Sequence, residues 1–215
     1  ITIAGADYLL EKDSGVTKLS EYEGKKNVIK WDSQEGSVTY QLNVPEDAIY
    51  NLSLTYMQLP CLAKDIQIGV KIDGEYLFDG MEGLFLPRLW TNKGEVREDD
   101  KGDQIAPEQT ELSIYTTQPL TDKEGVAVKP YEFAFTKGKH TITIEMQEEA
   151  FVLASVALTV PEKTQSYKDV SANYGKYDNY SGKPIVIEGE VADIKTSNSL
   201  IPKSDNSVSV TPSNP

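Results

Sequence analysis

The chain has 215 residues, 39% of them hydrophobic, with 34 acidic against 21 basic side chains and a net charge of −13. This length buries a sizeable core, while the charge repels phosphate backbones and anionic headgroups over a Debye length, so nucleic acid is excluded as an expected partner. No apolar run approaches the roughly 18 residues of a membrane-spanning helix, so no direct membrane insertion is expected, and the single cysteine, Cys61, excludes an internal disulfide and reads as a small core or loop residue.

In chain order the apolar period is two almost throughout. "SVTYQLNV" sets Val38, Tyr40, Leu42 and Val44 against Ser37, Thr39, Gln41 and Asn43, the pattern of a strand with one wet face. "PED" turns the chain at Pro45 and "IYNLSLTYM" resumes the alternation through Ile49, Leu52 and Leu54, which predicts a hairpin. "IQIGVKIDGEYLF" holds Asp73-Gly74, a dipeptide that supplies the positive φ angles of a tight turn between Ile72 and Tyr76. Then follow "ELSIYTT", "YEFAFTKGKHTITIEM" with a turn at Lys137-Gly138-Lys139, and "FVLASVALTV".

Short strands with regular turn signals predict an all-β antiparallel sandwich over residues 1–160. Val38, Tyr40, Leu42, Leu52, Leu54, Ile72, Ile142, Ile144 and Val156 are its expected inward residues. Past Pro161, "TQSYKDVSANYGKY" places Tyr167, Val170, Tyr174 and Tyr177 at helical spacing, with Ser166 as N-cap and Asp169 in the first turn. One short helix packed on the sandwich is therefore predicted near 164–177, within a linker running 161–184.

An internal echo follows. "ITIAGADYLLEKDSG" (1–15) aligns without gaps on "IVIEGEVADIKTSNS" (185–199), pairing Ile1 with Ile185, Ile3 with Ile187, Gly5 with Gly189 and Leu10 with Ile194. This predicts the start of a truncated second β module over 185–215, whose Ile185, Ile187, Ile194 and Leu200 lack native partners. The alternative is that two strands share a common pattern by chance.

Several stretches carry a family likeness. "GSVTYQLNVPEDAIYNLSLTY", "IDGEYLF" and "KGKHTITIEMQEEAFVLASVAL" resemble, in order and spacing, the galactose-binding-like jelly rolls of many carbohydrate-binding modules. "LPRLW", "REDDKGDQ" and "KGKHTITI" further resemble the amino-terminal β modules of large Gram-positive solute-binding lipoproteins of sugar ABC transporters. The likeness covers roughly residues 1–160 and again 185–215. It implies a jelly roll serving as a non-catalytic carbohydrate-binding accessory module of an exported, cell-surface-attached bacterial protein linked to sugar uptake. Its implied partners are an oligo- or polysaccharide and neighbouring domains of the same chain. Fold alone does not fix function, and the alternative is a structural or docking domain with no ligand of its own. Related modules open with two glutamates flanking one residue, which help hold a structural calcium. Here Ala4-Gly5-Ala6 stands in the first copy and Glu188-Gly189-Glu190 in the second. No cofactor is expected, with a structural calcium as the alternative.

"FLPRLWTNKGEVREDDKGDQIAPEQ" (85–109) is too long and too polar for a hairpin turn, and loops of this length are usually functional. Sugar rings offer apolar C–H faces and paired hydroxyls, so a sugar site needs an aromatic face and planar hydrogen-bonding groups. Trp90 is the stacking candidate, Arg88 and Arg97 the forked donors, and Asp99, Asp100, Asp103 and Gln104 the acceptors, with Trp31 and Tyr115 completing a platform. The competing assignment is internal: Trp90 plugs the sandwich and the arginines pair with the carboxylates. In a split arrangement Arg88 and Trp90 brace the loop while Arg97, Asp99 and Asp103 face the ligand. Trp31 alternates with Ile29 and is equally a core residue. One histidine and one cysteine exclude zinc. His140, at a strand start, has no nucleophile motif near it, and no enzyme is expected.

Overall fold

Two antiparallel sheets share one apolar core. The structure, a computed structural model, describes residues 1–60, 64–122, 129–163, 165–176, 180–186 and 192–199, without the side chain of Gln104. The larger sheet runs in the order Thr116–Pro119, Ala48–Gln58, Phe151–Thr159, Lys25–Trp31 and Thr17–Tyr22, with Thr2–Ala4 added to Phe151–Thr159 and Glu132–Phe135 to Ala48–Gln58. The smaller runs Leu10–Lys12, Ser37–Val44, Gly138–Glu148, Ile66–Ile72 and Leu84–Leu86. This is an antiparallel β-sandwich of jelly-roll type.

Each expected inward residue is buried, Ile72 being the most accessible at 6%. The period-two pattern thus fixed which face of each strand turns inward. It did not fix which strands pair. Ser37–Val44 and Ala48–Gln58 are not a hairpin: the first pairs with Gly138–Glu148 (Tyr40 opposite Ile142) and the second with Phe151–Thr159 (Leu54 opposite Val156). "PED" is a corner between sheets, so the apolar sides of these two strands meet across the core. Lys137-Gly138-Lys139 is a second corner, carrying the chain from Glu132–Phe135 in the larger sheet to Gly138–Glu148 in the smaller. Asp73-Gly74 does turn as predicted, with φ of 51° and 88° and Ile72 bridged to Glu75. The chain then leaves through a single turn at Asp79–Met81 and returns as Leu84–Leu86.

The larger sheet is covered on its outer side too, by a cluster of Val28, Met57, Leu59, Val152 and Ala154 under Leu19, Tyr22 and Tyr115. The expected helix is shorter than 164–177: Tyr167–Ser171 is helical, with Ser166 as its N-cap in a capping box with Asp169, and Tyr174–Lys176 forms a separate turn. The helix does not pack on the sandwich, because five residues make too short an apolar stripe. It buries no residue, and Tyr167 and Tyr174 stay exposed, meeting edge to face at 6.5 Å. Ile185 and Ile194 are exposed. Tyr177, Cys61, Ile187, Leu200 and Glu188-Gly189-Glu190 lie outside the described residues. At Ala4-Gly5-Ala6 no side chain offers an oxygen; the Gly5 carbonyl accepts from the Tyr40 hydroxyl at 2.8 Å, and a Cβ on Gly5 would sit 2.1 Å from the Leu153 carbonyl oxygen, so close packing requires the glycine. Among the described residues no helix is long and apolar enough to cross a membrane.

Candidate functional site

Residues 85–109 are not a structureless loop. Trp90–Lys93 pairs with Glu108–Glu111, and Arg97–Glu98 pairs with Gln104–Ile105, which makes a two-stranded arm standing off the sandwich. Its tip is a turn in which Asp99 Oδ1 accepts from the amides of Lys101 (2.8 Å) and Asp103 (2.9 Å), with Gly102 at φ 83°. Beyond Trp90 the described side chains of the ribbon do not face the core, so it carries no apolar alternation and its strands were invisible to the period-two reading.

The root of the arm is tied to the end of the strand Ala48–Gln58. Tyr56 Oη donates to the Pro87 carbonyl at 2.6 Å, and Gln58 exchanges two hydrogen bonds with the Leu89 backbone, at 2.9 and 2.5 Å. Arg88, fully buried, donates through Nη2 to the Leu59 carbonyl at 2.6 Å and to Glu111 Oε2 at 2.9 Å. Arg88 therefore cannot reach a ligand; it joins both strands of the arm to the core.

Of the three aromatic candidates, Trp31 and Trp90 are buried and Tyr115 is half-buried on the outer side of the larger sheet. Trp31, fully buried, shares the inward side of its strand with Ile29 and lies 5.9 Å from Phe151, ring centre to ring centre. Tyr115, half-buried, lies against the outer cluster and its hydroxyl donates to the Tyr22 carbonyl at 3.0 Å, so it covers part of the outer side of the larger sheet. Trp90 is 8% exposed, a wedge with one edge toward solvent. Arg97, Asp99, Asp100 and Asp103 are exposed at the tip, Asp99 shaping its own turn. The backbone of Gln104 lies in the same ribbon.

At the arm's root is a groove of about 430 Å³, lined by Lys64, Asp65, Phe85, Trp90, Glu148, Thr196, Ser197 and Asn198. A hollow of about 420 Å³ shares Asp65, Phe85 and Thr196 with it and continues to Pro87, Thr121 and Asp122. Phe85 stands on the outward side of the edge strand Leu84–Leu86, whose leucines are buried. The groove therefore offers an aromatic side chain among carboxylates, hydroxyls and an amide, with Lys64 and Glu148 3.7 Å apart. Of the expected residues whose side chains are described, only Trp90 lines it. Phe85 lies in the 85–109 stretch; Lys64 and Asp65 sit in an unmarked loop, Glu148 ends the strand Gly138–Glu148, and 196–198 arrive from more than a hundred residues beyond Trp90, so no common signature announces them.

A second polar hollow, about 420 Å³, involves Lys12, Glu35, Ser37, Glu145 and Gln147. There Glu145 is already engaged by Lys71 at 2.7 Å and by the Tyr76 hydroxyl. Burial pushes the Glu145 carboxyl up, but those two hydrogen bonds outweigh it and hold the group below the usual carboxylate range. Among the described residues no aromatic side chain lines this hollow. His140 is 2.7 Å from Asp73 in a local ion pair.

No family model and no curated protein matches the chain. Among solved structures it is similar to a carbohydrate-binding module, CBM35, from Paenibacillus barcinonensis, with TM-score 0.47 and 9% identity over 75% of this chain and 99% of that one. A cycloisomaltooligosaccharide glucanotransferase from Paenibacillus sp. gives TM-score 0.47 and 13% identity over 73% of this chain and 18% of that one. The GH26-CBM35 beta-(1,4)-mannanase of Podospora anserina gives 0.44 and 14% over 78% and 28%. The chain thus spans less than a third of the length of these two enzymes. Likeness of this size says nothing about which residues bind.

Proposed function

We propose that the chain is a non-catalytic carbohydrate-binding module of an exported bacterial protein, taking an oligo- or polysaccharide in the groove at the root of the arm. The observation that carries this reading is the placement of Phe85 and the edge of Trp90 beside Asp65, Glu148 and Asn198 in one open groove. An apolar ring face with planar acceptors and donors around it matches the two-sided chemistry of a sugar. In this reading Arg97 and Asp103, with Gln104, are outlying contacts for a long glycan, and Asp99 shapes the turn that holds them. The resemblance of "LPRLW" and "REDDKGDQ" to modules of sugar-transporter lipoproteins extends the proposal to a cell-surface role in sugar uptake.

Affinity electrophoresis through gels containing xylan, mannan, laminarin or dextran tests it. Phe85→Ala should abolish the retardation seen for the parent, with little change in melting midpoint, since a half-exposed ring holds up little of the core. Retention of full retardation by this variant would remove the groove from consideration.

A docking module is the second reading, favoured by one feature. Val96 and Ile105 are 48% and 44% exposed on the arm, an apolar pair that a neighbouring domain would cover.

A further inference from the structure

We infer that residues 192–199 are a working wall of the groove, held there by Lys195 as a positioning residue. This rests on the carbohydrate reading above and extends it to a segment that follows the sandwich and helix in the chain.

The strand Trp90–Lys93 is paired on one side by Glu108–Glu111, which leaves its other edge open. Lys195 takes that edge in both directions, its amide donating to the Trp90 carbonyl at 2.8 Å and its carbonyl accepting from the Trp90 amide at 2.6 Å. Its side chain adds a second tie. Nζ donates to Asn92 Oδ1 at 2.6 Å and to Gln109 Oε1 at 3.2 Å, while Gln109 Nε2 donates to Asn92 Oδ1 at 2.8 Å. One lysine thus closes a polar node across both arm strands.

The residues that follow are the ones that face the groove. Thr196, Ser197 and Asn198 stand with Phe85 and Trp90 around it, and Thr196 also lines the adjoining hollow. Without the tie at 195 the groove loses one side and becomes an open shelf on the edge strand. A shelf buries less of a sugar than a groove, and hydroxyl and amide groups on a free tail carry an ordering cost on binding. The segment therefore supplies pre-organised hydrogen-bonding groups, and occupancy and seating reinforce each other by linkage.

The test uses the whole chain with two substitutions. Lys195→Pro removes both the amide and the Nζ; Lys195→Met removes only the Nζ. Exchange of the Trp90 amide reads the seating directly, and titration calorimetry with xylohexaose, mannohexaose, laminarihexaose and isomaltohexaose reads binding. Lys195→Pro should speed Trp90 amide exchange at least about tenfold, as expected for loss of a local tie. It should also weaken binding of the hexasaccharide the parent takes by a similar factor and leave the melting midpoint close to the parent's, because the core cluster ends at Leu158. Lys195→Met should fall between the two. Unchanged Trp90 exchange in Lys195→Pro, or binding equal to the parent's despite faster exchange, would overturn the inference. Failure of the parent to bind any of these sugars would sink the carbohydrate reading and the wall's role in it, while the amide result would still judge the seating separately.

Discussion

At Arg88 a guanidinium is fully buried with one carboxylate partner, Glu111, itself 18% exposed, and its Nε and Nη1 find no partner among the described residues. The pair is lopsided. Removing Arg88 leaves a carboxylate that water reaches, whereas removing Glu111 strands a buried cation. Glu111→Ala should therefore cost about 3–5 kcal/mol in urea unfolding, and Arg88→Met, close in volume and uncharged, on the order of 1 kcal/mol. The reverse order would mean that Arg88 acts by packing. A second pair makes stability depend on pH. The hydrogen bond with Asp73 raises the His140 pKa above its ordinary 6.5, against the pull of burial. Burial pushes Asp73 up, but hydrogen bonds from His140 and the Thr141 amide outweigh it and leave Asp73 lowered. The histidine's contribution is complete below 6.5 and is lost as pH rises through its raised value; the aspartate's is complete above 3.8 and is lost as pH falls through its lowered one. Asp73 is 51% exposed, so the effect is at most about 1 kcal/mol. Melting midpoints should fall from pH 6 to pH 8.5, and His140→Gln should flatten that slope.

The arm and the corners show what a sequence pattern carries. Alternation in "SVTYQLNV" reports which face is buried, because burial is local to each strand; Val38, Tyr40 and Leu42 all turned inward. Pairing is not local. Pro45 ends the strand beside either a hairpin or a corner, and only the partners at 138–148 and 151–159 decide between them. The candidate site was legible only in part for the same reason. "LPRLW" marked the arm's root, where Arg88 and Trp90 are both buried, but the groove is built from segments with no common signature. The arm's tip offers a test at this scale. Replacing residues 94–107 by Asn-Gly closes Lys93 onto its partner Glu108 with a tight turn. The shortened protein should melt close to the parent, since none of the described side chains between 94 and 107 is buried. It should also keep most of its glycan affinity, because the groove lies at the root. Loss of binding with an intact melt would move the site to Arg97 and Asp103.

Across the whole molecule the sandwich is a rigid frame and the site is assembled at its edge. The core holds both sheets together through residues from 29 to 158, and the groove draws on the edge strand Leu84–Leu86, the loop at 64–65, the end of Gly138–Glu148 and the segment at 196–198. Binding residues carried on loops and edges over an unyielding scaffold are a common division of labour. The central claim, a sugar seated in that groove, is tested most directly by amide chemical-shift mapping of the labelled chain during titration with the hexasaccharide it binds. The account predicts the largest shifts at Lys64, Asp65, Phe85, Trp90, Glu148 and residues 196–198, smaller ones at the arm tip, and the hollow beside Glu145 nearly silent. Shifts centred on Val96 and Ile105, or on Lys12, Ser37 and Glu145, with the groove unmoved, would contradict it.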